Sequence, residues 1–185
     1  MKKLALLVGM MVVTMGFFTT SVIAQDDADA GEAVTYSLPA MRILDLEGTA
    51  PSLTFLVPAE AGTAIADVTD NKSWINYTSV IGATTNKVTV VINKAAPAGT
   101  TLMVVAAAHA GTGNGTYGTP TAEKELTTSA VDLITAIGSC WTGTGNTNGH
   151  QLTYRWIVEA AEYADLVAAG AADITATYTI TATTL

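Results

Sequence analysis

Alternation of branched apolar residues with polar ones is the feature of this sequence that most constrains its fold. Val88, Val90 and Ile92 recur at every second position and fall on one face of an extended chain, whereas Lys87 and Thr89 fall on the other. A strand directs successive side chains to opposite faces of a sheet, whereas a helix does not. The pattern therefore predicts a β-strand with one buried face.

The rest of the chain repeats this kind of pattern in short runs. Runs rich in β-branched and aromatic residues predict further strands at 34–38, 52–57, 74–80, 101–107, 151–158 and 174–180. Stretches rich in glycine at 111–120 and 143–149 separate some of them, because glycine and asparagine adopt turn conformations at low cost. Residues 129–137 and 160–172 are the candidate helices, and the alternative for the second is a helix of only a turn or two.

Together these patterns predict an all-β fold. Short strands that recur with turn signals between them are typical of a sandwich or a barrel. We predict a single β-sandwich domain over residues 33–185, immunoglobulin-like or fimbrial-type, with at most one or two short helices. A chain of this length suits one hydrophobic core.

The N-terminus has the layout of a secretory signal peptide. Two lysines precede an apolar run over residues 4–18, and small residues lead to a polar break at Gln25. The run is shorter than the ~20 residues that span a bilayer, which disfavours the alternative of a retained membrane helix. We expect residues 1–24 to be removed on export. This leaves an acidic, flexible tail at 25–32 and places the protein outside the cell or on its outer surface.

Charge limits the partners of the exported chain. Loss of residues 1–24 removes two of the eight basic residues and none of the sixteen acidic ones. Nucleic acids and anionic lipids bind clustered Lys and Arg side chains, which are scarce in this chain. We therefore expect no nucleic-acid partner, and no insertion into a membrane after the signal peptide is removed.

Cys140 is the only cysteine of the chain, so no internal disulfide can form. The core must therefore be held together by packing alone. Unpaired cysteine is among the most buried residue types, and we expect Cys140 to be buried. An intermolecular bridge and a reactive thiol are the alternatives.

Residues of the kinds that catalyse reactions are sparse. His109 and His150 are the only histidines, and each lies beside a glycine-rich loop. Cys140 stands close enough to His150 in sequence for the two to meet, but nothing nearby would lower the pKa of the thiol and create a nucleophile. We expect no catalytic residues and no enzyme activity.

Metal ligands are also too few to predict a metal site. Zinc takes about four nitrogen or sulfur ligands, which two histidines and one cysteine do not supply. Asp67, Asp70 and Asn71 lie close together, but the EF-hand pattern for calcium is missing, and a solvated acidic turn is the favoured interpretation. We predict neither a metal nor a cofactor.

A resemblance to a known group of proteins rests on short motifs spread over most of the chain. The motifs are Pro97-Ala98-Gly99-Thr100, Leu126-Thr127, Gly138, Gly143, Leu152-Thr153-Tyr154 and Thr177-Tyr178-Thr179-Ile180. Their order is similar to that of uncharacterised secreted bacterial β-sandwich proteins. It also resembles, more loosely, fimbrial subunits and spore-coat-U-like domains.

The resemblance to fimbrial subunits implies assembly by strand addition. Such a subunit has a sandwich that lacks one strand, and the N-terminal extension of a neighbouring copy fills the gap. Val34, Tyr36 and Leu38 share one face of an extended segment and would form the donor strand. The alternative is that residues 33–38 are the first strand of their own sandwich. The chain departs from the fimbrial pattern because it has no disulfide.

The acceptor for the donor strand is expected near the C-terminus. Ile174, Tyr178 and Ile180 lie in the last predicted strand, which would line the acceptor groove. On this hypothesis the protein is an exported structural subunit of a cell-surface filament or layer. Its main partner is a second copy of itself.

Exposed aromatic residues support an alternative function. Tyr117 and Trp141 lie in or beside glycine-rich loops and are the aromatic residues that we expect to be most exposed. Exposed aromatic faces stack on the apolar faces of ligands. The alternative is therefore a monomeric, adhesin-like module that binds a surface glycan or protein through these two residues.

Overall fold

The structure is a computed structural model that describes residues 31–168 and 173–184. The chain divides into one unit over residues 1–37 and a second unit over residues 38–185. In the first unit, the described residues 31–37 form neither helix nor strand. The predicted signal peptide at 1–24 and most of the acidic tail at 25–32 lie outside the described residues.

The second unit is built from β-strands. The strands of its described part are β1 (Met41–Gly48), β2 (Val68–Val80), β3 (Asn86–Ile92), β4 (Thr100–Ala106), β5 (Asn114–Gly115), β6 (Thr119–Pro120), β7 (Lys124–Glu125), β8 (Val131–Ile137), β9 (Cys140–Trp141), β10 (His150–Val158) and β11 (Ala176–Ala182). One 3-10 helix, Ala160–Asp165, lies between β10 and β11. None of the described helices is long and apolar enough to cross a membrane.

The strands form two antiparallel sheets. The large sheet has the order β5-β9-β2-β10-β4-β7, and β1 also pairs with β2. The small sheet has the order β11-β3-β8-β6. β1 and β9 both pair with Thr78 and Ser79, so they lie on opposite edges of β2. The prediction of an all-β, sandwich-like fold is confirmed.

The core lies between the two sheets and draws on both. Its buried apolar side chains are Ile75, Tyr77, Val104, Leu152 and Tyr154 from the large sheet, and Val88, Val90, Leu133, Ile134 and Ile137 from the small sheet. The hydroxyls of Tyr154 on β10 and Tyr178 on β11 form a hydrogen bond that joins the sheets. The alternation predicted around Val88 is present, because the odd and even positions of β3 differ in burial.

The helix predicted at 129–137 is wrong, because this segment is strand β8. β8 carries two bulges against β3, and Ala136 takes a φ of 55° at the second one. Each bulge inserts an extra residue and shifts the side chains that follow to the other face. As a result Leu133, Ile134 and Ile137 all face the core. Their spacing in the sequence is the spacing of one face of a helix, which explains the wrong prediction.

Two predicted strands are also wrong. Residues 34–38 form no strand, and neither do residues 52–57. Residues 52–57 make no strand hydrogen bonds, but alternate side chains still face inwards. Leu53 packs on the core, and the centroid of the Phe55 ring lies 4.1 Å from that of the Trp156 ring. Strand β1 was not predicted, because its apolar residues are interrupted by charged ones.

The candidate helix at 160–172 is a 3-10 helix of about two turns, Ala160–Asp165, as the shorter alternative expected. The 3-10 helix ends at Asp165 and is followed by residues that form no regular structure up to 168. Residues 169–172 lie outside the described residues. None of the residues in the 3-10 helix is buried, so packing gives this helix little support.

We predict that Leu133→Ala destabilises the fold by about 2–5 kcal/mol, because Leu133 is fully buried and its loss leaves a cavity. Leu56→Ala is the matched control, since the side chain of Leu56 is 79% exposed. It should change the free energy of unfolding by less than about 0.5 kcal/mol. Urea denaturation followed by circular dichroism measures both values. Equal effects of the two substitutions would contradict the placement of Leu133 in the core.

Candidate functional site

The predicted donor residues are exposed. Val34, Tyr36 and Leu38 have 80%, 90% and 73% of their surface accessible. They recur at every second position in a stretch that forms no regular secondary structure. Three large apolar side chains are therefore available for contact along a short stretch of chain.

The predicted acceptor strand lies at an edge of the small sheet. Among the described strands, β11 pairs only with β3. The amide of Asn93 donates to the carbonyl of Thr175, and the amide of Thr183 donates to that of Thr85. In an antiparallel ladder alternate residues point their N–H and C=O groups to the same side. The odd positions of β11 therefore bond to β3, and the even positions direct their main-chain groups to the other side.

Side chains of β11 follow the same alternation. Tyr178 and Ile180 are half-buried and pack against the core. Ile174 also packs against the core, but it lies two residues before β11 and is not part of the strand, contrary to the prediction. The main-chain N–H and C=O groups of Tyr178 and Ile180 point away from β3, because both residues occupy even positions of the ladder. Cα atoms of β1 and β11 approach within 8 Å, so a strand added beside β11 would also lie close to β1.

The two predicted platform residues differ in their settings. Trp141 is 50% exposed and belongs to strand β9 rather than to a loop. Tyr117 is half-buried, packs against the core and stacks on His109, with ring centroids 3.6 Å apart. The structure therefore exposes Trp141 and places Tyr117 against the core.

A buried cluster of histidines and tyrosines was not predicted from the sequence. The rings of His109 and His150 meet edge to face at 5.9 Å, and the ring of Tyr77 stacks on that of His150 at 5.6 Å. His150 is fully buried and Tyr77 nearly so. These partners come from distant parts of the chain, so no local sequence signal indicates their contact.

Hydrogen bonds and burial together determine the protonation state of His150. Its Nδ1 lies 2.8 Å from the carbonyl of Ala107, which can only accept, so Nδ1 carries a proton. Its Nε2 lies 2.8 Å from the hydroxyl of Tyr77, which also donates to the carbonyl of Tyr117. Burial lowers the pKa of His150 and thus favours the neutral ring. The Tyr77 hydroxyl therefore has one proton and two acceptors within reach, Nε2 of His150 and the carbonyl oxygen of Tyr117.

Cys140 is buried, as predicted. Burial raises the pKa of its thiol to about 11, so the thiol stays protonated at neutral pH. Burial also raises the pKa of the neighbouring Tyr77 hydroxyl. A nucleophilic cysteine needs a lowered pKa, which this environment does not provide.

The acidic residues near position 70 do not form the predicted solvated turn. Asp67 binds Arg155 at 3.1 Å, and Arg155 also pairs with Glu123. Asp70 lies within β2, where it is buried and accepts a hydrogen bond from the amide of Lys72. Across the residues that the structure describes, no group of three or more His, Cys, Asp and Glu side chains could hold a metal ion.

Comparisons of the chain with protein-family models, with curated proteins and with solved structures found no match. The class that the structure defines is therefore that of the fold, an all-β protein with two antiparallel sheets. The resemblance to secreted and fimbrial-type proteins stays a prediction.

We predict that Cys140 resists alkylation in the folded protein. With a pKa of about 11, its thiolate fraction at pH 8 is on the order of a hundredfold below that of a free cysteine. Iodoacetamide labelling at pH 8, followed by mass spectrometry, should be slow in buffer and fast in urea. Equal rates in the two conditions would show that the thiol is accessible when the protein is folded.

We predict that stability falls as the pH drops from 7 to 5. The folded-state pKa of His150 lies below 6.5, so the unfolded chain binds this proton first. The stabilisation is therefore complete above about 6.5 and is lost as the pH falls through the folded pKa, at up to about 1.4 kcal/mol per pH unit. His150→Gln should reduce this slope more than His109→Gln does, because the His109 charge only helps to lower the pKa of His150. Urea denaturation at each pH tests this, and an unchanged slope in His150→Gln would rule His150 out.

Proposed function

We propose that the protein is an exported structural subunit of a cell-surface filament or layer whose copies assemble by β-strand addition. The observation that supports this best is that residues 34–38 form no strand and expose three large apolar side chains. Apolar side chains in such numbers are normally covered by a partner. The partner in this proposal is a neighbouring copy of the same chain.

Residues 34–38 supply the donor strand. Burial of Val34, Tyr36 and Leu38 in a neighbour contributes roughly 1.5–3 kcal/mol for each side chain, before the cost of ordering the segment. The polar residues Thr35 and Ser37 would face solvent. Period-two alternation is the pattern that one-sided burial of an added strand requires.

Strand β11 supplies the acceptor edge. Its even positions, among them Tyr178 and Ile180, direct N–H and C=O groups away from β3. Free main-chain groups at a sheet edge are a template for another strand. The donor side chains would also cover Leu46, which shares a face of β1 with the core residue Leu44 but is 46% exposed.

We predict that the exported protein forms assemblies of high mass and that charge on the donor face abolishes them. The pair Val34→Asp and Tyr36→Asp places carboxylates on the side chains that must be buried, where an unpaired charge is unfavourable. Light scattering after gel filtration, together with negative-stain electron microscopy, should show filaments or sheets for the wild type and single chains for the variant.

The matched control places the same two charges on the opposite face of the same segment. Thr35→Asp with Ser37→Asp should leave the assemblies intact, because these side chains face solvent in the proposed strand. Single particles of the wild-type protein would refute assembly itself. Equal loss of assembly in both pairs would refute the assigned donor face and point to charge repulsion alone.

A further inference from the structure

The buried histidine and tyrosine cluster fastens one stretch of chain, residues 107–118, to the large sheet. Nδ1 of His150 on β10 donates to the carbonyl of Ala107 at the start of this stretch. The hydroxyl of Tyr77 on β2 reaches the carbonyl of Tyr117 near its end. Two buried side chains of the sheet therefore hold the stretch at both ends.

The 107–118 stretch has few other packed groups. Its large partly buried side chains are His109 and Tyr117, which stack on each other, and most of its remaining residues are exposed. Its other ties are mostly backbone hydrogen bonds, among them the pairing of β5 with β9. Segments with few buried apolar contacts open more easily than the core does. The cluster is therefore well placed to control whether this stretch stays closed.

The hydrogen bonds around Tyr77 leave room for one more proton. Neutral His150 carries its proton on Nδ1, so the Tyr77 hydroxyl has a single proton for two acceptors, Nε2 of His150 and the carbonyl of Tyr117. A proton added at Nε2 would donate to the Tyr77 oxygen, and the hydroxyl proton would then bond to the Tyr117 carbonyl alone. One positive charge on His150 is thus hydrogen-bonded at both ring nitrogens without the loss of any contact.

A second positive charge, on His109, has no such compensation. The ring centroids of His109 and His150 lie 5.9 Å apart, where two charges repel strongly in a partly buried setting. Neither histidine forms an ion pair with a carboxylate of the described residues. The other titratable side chains that face the pair are Tyr77 on β2, Tyr117 between β5 and β6, and Cys140 on β9, and they supply no offsetting negative charge. Burial lowers the pKa of His150, and the charge of His109 lowers it further.

We propose that His109 and His150 form an acid-sensitive switch, in which the cluster holds one proton in the closed fold and a second proton releases residues 107–118. Histidine is the side chain whose charge ordinarily changes between pH 5 and 8, so the switch operates in this range. Release would uncover the edge of β9 that β5 covers. The switch does not depend on the proposed assembly, because no member of the cluster lies in residues 34–38 or in β11.

Amide hydrogen exchange of the exported full chain, followed by mass spectrometry, tests the release. Exchange within residues 107–118 should rise at least about tenfold from pH 7 to pH 5, after correction for the intrinsic pH dependence of exchange. Residues 73–75 of β2, which pair with strands on both edges, should stay protected. No rise in residues 107–118 would overturn the proposal. An equal rise in both regions would overturn it too, because it would show unfolding of the whole sandwich.

His109→Gln removes the second charge from the switch. Its amide can still donate to the carbonyl of Thr142, which lies 3.3 Å from Nε2 of His109. The ratio of exchange at pH 5 to exchange at pH 7 within residues 107–118 should therefore fall to about one in this variant. Glu60→Gln is the matched control, because it replaces an exposed titratable group outside the cluster by an amide, and it should keep the wild-type ratio. A wild-type ratio in His109→Gln would refute the role of the second charge.

Tyr77→Phe tests how the first proton is held. The histidine ring signals in NMR spectra of the wild type should show His150 titrating while circular dichroism shows a folded protein. Tyr77→Phe keeps the ring but leaves the Nε2–H of charged His150 without its acceptor, so the midpoint of this titration should move at least about one pH unit lower. An unchanged midpoint would refute the role of the hydroxyl. A wild-type His150 that does not titrate in the folded protein would overturn the first step of the switch.

Discussion

The hydrogen-bond ladder along β2 is the constraint on which the rest of the structure depends. β2 runs from Val68 to Val80 and pairs with β1 on one edge and with β10 and β9 in succession on the other. Its inward residues, such as Ile75 and Tyr77, reach the core, and its outward residue Thr78 pairs with Trp141 on β9. Because the chain carries no disulfide, this pairing and the packing beneath it supply the order that a cross-link would otherwise provide.

Period-two alternation predicted the regular strands and failed where the ladder is irregular. β3 alternates over its whole length and β11 alternates up to Ile180, so the sequence was sufficient to locate both strands to within about two residues. β8 has two bulges that place Leu133, Ile134 and Ile137 on one face, and from the sequence alone this spacing resembles a helix. β1 escaped prediction because an edge strand is half solvated and tolerates charged residues at many positions.

The candidate sites also contain some features that the sequence predicted and others that it did not. Burial of Cys140 follows from its residue type and was predicted. Exposure of Trp141 was predicted from its glycine-rich surroundings, although Trp141 lies on strand β9 and not in a loop. The contact between Tyr77 and His150 joins positions 73 residues apart, and only the pairing of β2 with β10 brings them together.

Sheet edges and sheet faces offer different kinds of recognition, and this fold keeps them apart. An edge such as β11 presents main-chain groups, which pair with almost any extended segment and obtain selectivity from alternate side chains. An interior strand such as β9 has no free main-chain groups, so its outer face can recognise a ligand only through side chains. The negative net charge, which is -8 over the full sequence, makes copies repel one another over a distance of about 8 Å at physiological ionic strength. Apolar contacts of the donor segment must exceed this repulsion for assembly.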